Sequence, residues 1–136
     1  MHNKINFAIS LYTSGQYQKA LDEIKPFLNK NSKNPILLNI SGACYSSLGM
    51  LDDAIKSYKE ALAIKKDYSE VHNSLGFSLQ AKGRLDEAVK SYKDALFYSP
   101  NYAEAHNNLG NTYRELNNFD AAIACYKKSI AINPSF

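Results

Sequence analysis

Two kinds of apolar spacing alternate along the chain. In the stretches that start at Ser69 and Ala103, positions 7, 8 and 11 are apolar or small: Leu75, Gly76 and Leu79, then Leu109, Gly110 and Tyr113. This i, i+1, i+4 stripe belongs on one face of a helix. At position 15 stand Gly15, Gly49, Gly83 and Asn117, residue types that tolerate the left-handed conformation ending a helix. A second helix is predicted from Tyr17, Leu51, Leu85 and Phe119, with Asp52–Asp53, Asp86–Glu87 and Asp120 in its first turn. Acids there are favourable against the helix dipole. Pro35 follows Asn34 as a good first-turn proline, and Pro100 and Pro134 close their segments. The pattern predicts eight helices with no linker between them.

The pattern is periodic. Residues 103–136 shifted back by 34 fall on 69–102, so that His106, Leu109, Gly110, Ala122, Tyr126 and Pro134 match His72, Leu75, Gly76, Ala88, Tyr92 and Pro100. A further shift gives 35–68, held in register by Gly42, Tyr45, Ala54, Tyr58 and Ala61, and a third gives 1–34 through Leu11, Gly15, Tyr17 and Ala20. A fixed period of this size marks a solenoid, in which each unit buries its apolar face against its neighbours.

His106-x2-Leu109-Gly110-x2-Tyr113, followed by Ala122-x3-Tyr126 and Pro134, resembles the tetratricopeptide pattern, with His at the consensus Trp. The second repeat departs from it at Leu38, Ser41 and Lys66, and the first at Lys4, Phe7, Ile24 and Phe27. The resemblance implies an all-α fold, a right-handed α-solenoid of four 34-residue helix-turn-helix repeats. Their expected bounds are 1–34 (atypical, as terminal repeats are), 35–68, 69–102 and 103–136, the last without a capping helix. Gly76 and Gly110 sit mid-helix, where Gly costs about 1 kcal/mol relative to Ala. Close approach of the partner helix near Ala88 or Ala122 is the expected compensation. Pro26, inside ALDEIKPFLNK, is expected to kink or interrupt its helix between Asp22 and Phe27.

Composition narrows the function. Ten Tyr and six Phe with no Trp suit a helical array with aromatic knobs, and a net charge of +3, with Lys as 14 of 16 basic residues, is not the footprint of a nucleic-acid binder. Cys44 and Cys125 form no Cys-x-x-Cys pair and read as small buried hydrophobes in a reducing compartment. Neither a secretory signal nor a membrane-length apolar run is visible, so the cytoplasm is the expected location.

No phosphate loop, nucleophile elbow or Cys/His cluster points to catalysis, a metal or a cofactor. His72 and His106 share position 4, one repeat apart, and are expected to pack rather than to ligate. Lys56, Lys59, Lys90, Lys93, Lys127 and Lys128 interleave with acids on second helices and are expected on a solvated face.

By the resemblance, first-helix positions 2, 5, 6, 9, 12 and 13 line a concave groove. That groove is apolar at its N-terminal end, with Ile5, Ile9, Ile36 and Ile40, and amide-rich at its C-terminal end. Its candidate binding residues are Asn39, Asn73, Phe77, Gln80, Asn107, Asn108, Asn111 and Arg114. Relatives that clamp acidic chaperone tails use Lys, Asn and Arg there, whereas Glu70 and Glu104 stand at position 2 here, so a carboxylate guest would be repelled. A carboxamide both donates and accepts, so Asn39, Asn73, Asn107 and Asn111 are expected either to hold the main chain of an extended peptide or merely to hydrate a polar groove. The AEAHNNLGN stretch resembles arrays preceding O-linked N-acetylglucosamine transferases, although their ladder lies one position later, where only Asn6 and Asn108 match. Three readings follow: a peptide- or protein-binding module, the substrate-presenting or oligomerising arm of a larger transferase, and a self-assembling unit. For the last, Ile123, Tyr126 and Ile130 would form an apolar end surface for homo-oligomerisation.

Overall fold

The computed structural model describes residues 2–28 and 34–135. Among them are the helices α1 (His2–Thr13), α2 (Tyr17–Leu28), α3 (Pro35–Ser47), α4 (Leu51–Ile64), α5 (Ser69–Ala81), α6 (Leu85–Tyr98), α7 (Ala103–Glu115) and α8 (Phe119–Ile132), and no strand. The fold class is all-α, of consecutive helical hairpins. The starts of α3, α5 and α7 lie 34 residues apart, as do those of α2, α4, α6 and α8. None of these helices is long and apolar enough to cross a membrane.

The hairpin turns follow from residue 15 of each repeat. Gly15, Gly49 and Gly83 have φ of +79°, +76° and +80°, and Asn117 has +62°. In the first turn the Gly15 amide donates to the Tyr12 carbonyl at 3.0 Å, and the Gln16 amide reaches back to Leu11 at 2.8 Å. The same long return bond recurs from Met50 to Tyr45, Arg84 to Leu79 and Asn118 to Tyr113. This paired closure satisfies carbonyls that a helix end leaves open, and it requires the left-handed residue. At α3 the Asn34 side chain accepts from the Ile36 amide at 2.8 Å, with Pro35 in the first turn.

The mid-helix glycines have a definite cause, and it is not the alanines. A Cβ on Gly42, Gly76 or Gly110 would lie 2.5, 2.7 or 2.8 Å from the ring of Tyr58, Tyr92 or Tyr126. The tyrosine one turn after Ala54, Ala88 and Ala122 therefore occupies the space that a side chain at each glycine would need. The alanines are buried beside it. Each ring fills the notch that the missing side chain leaves, and its packing offsets the helix penalty of the glycine.

The chain forms two compact units, Met1–Lys66 and Asp67–Phe136. In the first, α2 packs on both α1 and α3, and α3 pairs with α4. Its core gathers Ala8, Leu11, Ala20, Leu21, Ile24, Leu37, Ile40 and Cys44, with Phe27 and Leu28 packed against it. Ile40, expected to line the groove, thus belongs to the core instead, while Ile9 and Ile36 are exposed. Pro26 does not interrupt α2, which continues through it to Leu28. It falls in the last turn, where only the bond to the Asp22 carbonyl is forfeited and Pro26 itself is exposed. Lys30, at the far end of the sequence stretch that framed this expectation, lies outside the described residues.

In the second unit α6 packs on both α5 and α7, and α7 pairs with α8. Tyr92, Val71, Leu79, Ala88, Ala95 and Ala105 are almost fully buried. The lysines at 56, 59, 90, 93, 127 and 128 are all exposed, and Lys90 pairs with Asp94 one turn on at 3.0 Å.

Candidate functional site

The first helices of the second unit, α5 and α7, bring most of the candidate groove residues together. Two side-chain bridges tie them. The Asn108 amide donates to Asn73 Oδ1 at 3.1 Å, and two helical turns further along Gln80 donates to Glu115 at 2.6 Å. Behind the bridges stand the tyrosines that fill the glycine notches. The Tyr92 hydroxyl donates to Gln80 Oε1 at 2.8 Å, and that of Tyr126 donates to Asn111 Oδ1 at 2.6 Å.

These bonds separate the asparagines into two kinds. Asn73, expected to project into the groove, does not: only 4% of it is exposed. Its carbonyl accepts from Asn108, and its amide donates to the Tyr102 hydroxyl at 3.4 Å. A buried amide must satisfy both ends, and here both partners are protein groups. Asn107, by contrast, is half-buried and makes no side-chain hydrogen bond among the described residues. Asn111, partly exposed, spends its carbonyl on Tyr126, and its amide hydrogens make no hydrogen bond among the described residues. Arg114 is exposed, and Phe77 holds its ring 57% exposed on α5. Asn39 lies in the first unit, half-buried on α3.

Electrostatics around this face lean acidic. Glu70, Glu104 and Glu115 are exposed, against Arg114. Burial, and then Glu104, pushes the Tyr102 phenol above its ordinary range, and burial does the same more strongly to Tyr92. Both phenols therefore stay protonated and serve as neutral hydrogen-bonding groups.

The residues considered for chemistry have structural roles. His106 is buried, with Nε2 at 2.9 Å from the Pro100 carbonyl, so it holds the preceding joint. The His72 ring stacks on Tyr98 at a centroid distance of 5.7 Å and an interplanar angle of 19°. Among the described residues no three His, Cys, Asp or Glu side chains gather as metal ligands. Cys44 and Cys125 are free and buried, and burial raises both thiols, Cys44 to about 11. A thiol so raised is a weak nucleophile.

Sequence reasoning missed Tyr102, which closes the polar cluster around Asn73. The signal was present: tyrosine occupies the last position of both the second and third repeats, as Tyr68 and Tyr102.

Helical hairpins repeating at 34 residues, closed by a left-handed residue and locked by a glycine–tyrosine notch, define a helical repeat protein of the solenoid class. Models of the tetratricopeptide repeat match residues 103–136, and of the TPR repeat 42–83 and 78–114. The chain belongs to the tetratricopeptide repeat family. It is 34% identical over 65 residues to tetratricopeptide repeat protein 13 of Homo sapiens, a match covering 48% of this chain but only 8% of that protein. Among solved structures, MamA superposes with a TM-score of 0.91 at 19% identity, over 98% of this chain and 78% of that one. YrrB, described as a TPR protein with an unusual peptide-binding site, gives 0.84 at 24% identity, over 93% and 66%. TTC0263, a thermophilic TPR protein of Thermus thermophilus, gives 0.82 at 26% identity, over 98% and 74%.

Proposed function

We propose that this chain is a protein–protein interaction module that holds an extended peptide against the first helices α5 and α7. The observation that carries the reading is unspent amide capacity on α7, with an exposed phenyl ring on the neighbouring first helix α5. On α7, Asn107 has its whole carboxamide available and Asn111 its amide hydrogens, and on α5, the helix bridged to it, Phe77 is 57% exposed. Carboxamides offer a donor and an acceptor to a peptide main chain whatever its side chains, and the ring of Phe77 offers apolar contact area. Solenoids of this kind use such first-helix surfaces for binding, and YrrB is a structural neighbour described by its peptide-binding site.

The charge of the face restricts the guest. With Glu70, Glu104 and Glu115 exposed around it, a neutral or mildly basic segment is favoured over an acidic tail. Asn73, Asn108 and Gln80 act behind this surface, holding α5 to α7 through the two bridges. Two free, buried cysteines suit the reducing environment of the cytoplasm.

The test is to select extended peptides from a random display library on the intact chain and to map the winner by isotope-labelled NMR. Shifts should concentrate on the side-chain amides of Asn107 and Asn111 and on Phe77. Shifts confined to the lysine-bearing faces of α6 and α8 would overturn the assignment.

A further inference from the structure

A trough runs along the first unit, apart from the amide face of the second. One wall is α2, which lines it from Gln18 to Leu28, about 15 Å of helix. The other is α4, through Asp53, Lys56, Ser57 and Glu60. The floor is α3, through Leu38, Ser41 and Tyr45, and the space enclosed is about 410 Å³.

The middle of that floor is where the repeats differ. The seventh residue is Leu75 in α5 and Leu109 in α7, 6% and 5% exposed, but Ser41 in α3. Ser41 is only 2% exposed, and its hydroxyl has no hydrogen-bond partner among the described residues. Thr112, by contrast, donates to the Asn108 carbonyl one turn back at 2.9 Å. A buried polar atom calls for a partner, and this one stands where the other repeats place the bulk of a leucine.

We propose that the trough docks an amphipathic helix of a partner protein, anchored by a tyrosine. Its ring fills the space over Ser41 and its hydroxyl pairs with that of Ser41. The chain already makes this kind of pairing within itself. Tyr92 and Tyr126 fill the notches of Gly76 and Gly110, and their hydroxyls bond to Gln80 and Asn111 on the first helices. Leu21, Leu28 and Leu38 line the rest of the trough and receive the guest's other apolar side chains.

The rim favours a helix over an extended chain. Asp22 is followed three residues on by Lys25 along α2, and Asp53 by Lys56 along α4, and all four are exposed. Three residues of helix rise about 4.5 Å, so a guest helix meets each wall with a base and then an acid at the same spacing. Side chains on one face of an extended strand lie about 6.6–6.8 Å apart, out of step with the rim. With both signs on each wall, a guest of alternating charge is favoured over one of a single sign.

The test is a stapled helical peptide of about 15 residues. It carries a central tyrosine, a leucine one turn to each side, and a lysine followed three residues on by a glutamate along each flank. Titrated into the isotope-labelled intact chain, it should shift the backbone amides of Leu21, Leu38, Ser41 and Ser57 with a micromolar dissociation constant. Ser41→Leu, which installs the residue of α5 and α7, should keep or raise the melting temperature and lower the affinity at least tenfold. Phenylalanine for the peptide's tyrosine should weaken binding several-fold to the parent and not at all to Ser41→Ala. Lys56→Glu should also weaken it several-fold, and a peptide with lysine for glutamate on the flank facing α4 should restore it. Asn107→Ala/Asn111→Ala should leave this binding unchanged, so the trough and the amide face stand or fall separately. No saturable binding, shifts confined to α5 and α7, or an affinity indifferent to Ser41→Leu would each overturn the proposal. So would a small molecule carried in the trough through purification, or self-association of the chain that Ser41→Leu abolishes.

Discussion

Helices α5 and α7 occupy the same place in successive repeats, yet they use their amides in opposite ways. Asn73, fifth in α5, is buried and bonded at both ends, to Asn108 and to Tyr102. Asn107, fifth in α7, is half-exposed, with no side-chain bond among the described residues. Two residues in identical register therefore do different work, because α7 and Tyr102 enclose Asn73. Repeat phase fixes which way a side chain points, while the neighbours present fix whether it is structure or surface.

The largest effect should come from the support behind α5. Tyr92 is wholly buried with its ring in the Gly76 notch, and Tyr126 sits half-buried in the Gly110 notch. Tyr92→Ala should cost about 3–5 kcal/mol, in the range for large aromatics in cores, and Tyr126→Ala clearly less. Urea unfolding of the two variants measures the gap, and equal losses would break the contrast.

Next in size is the contrast between the asparagines themselves. Asn73→Ala removes the acceptor of Asn108 and the donor to Tyr102, and should cost about 1–3 kcal/mol, as for buried partners left unsatisfied. Asn107→Ala should stay within about 0.5 kcal/mol of the parent, as surface changes do. Thermal melts of the pair should differ by several degrees, and a destabilised Asn107→Ala would mean that Asn107, too, is structural.

A smaller effect should appear at alkaline pH. Burial raises the folded-state ionisation of Tyr92 and Tyr102 above the ordinary phenol value of 10.0. Above that value the unfolded chain has lost phenolic protons that the folded chain retains, so stability falls as the pH rises. Denaturation midpoints from pH 8 to 11 should decline through the upper part of that span, and Tyr102→Phe should flatten the decline. A rise in stability with pH would contradict the burial of these rings.

The smallest effect concerns the turns. Asn117 takes a positive φ where the other three turns have glycine. Asn117→Gly should therefore stabilise the last hairpin by less than about 1 kcal/mol.

Most of the fold was legible because helix period, turn residue and repeat length all report local geometry. The left-handed positions at Gly15, Gly49, Gly83 and Asn117 follow from residue type alone, and all four have positive φ. What was not legible depended on contacts between positions distant in sequence. The partner of Gly76 is the ring of Tyr92, sixteen residues away, rather than the nearer Ala88. Asn73 looked like a groove residue because nothing local distinguishes it from Asn107. Pro26 carries a large intrinsic penalty, but its place in the last turn of α2 reduces what it disrupts.

If the surface amides of α7 hold a peptide main chain, as proposed, removing them must weaken the bound peptide. The most direct test is the affinity of a display-selected extended peptide for the Asn107→Ala/Asn111→Ala double variant against the parent, by isothermal titration. Losing two hydrogen bonds of about 0.5–1.5 kcal/mol each predicts roughly a tenfold or greater loss of affinity, with helicity unchanged. An affinity equal to that of the parent would contradict the claim.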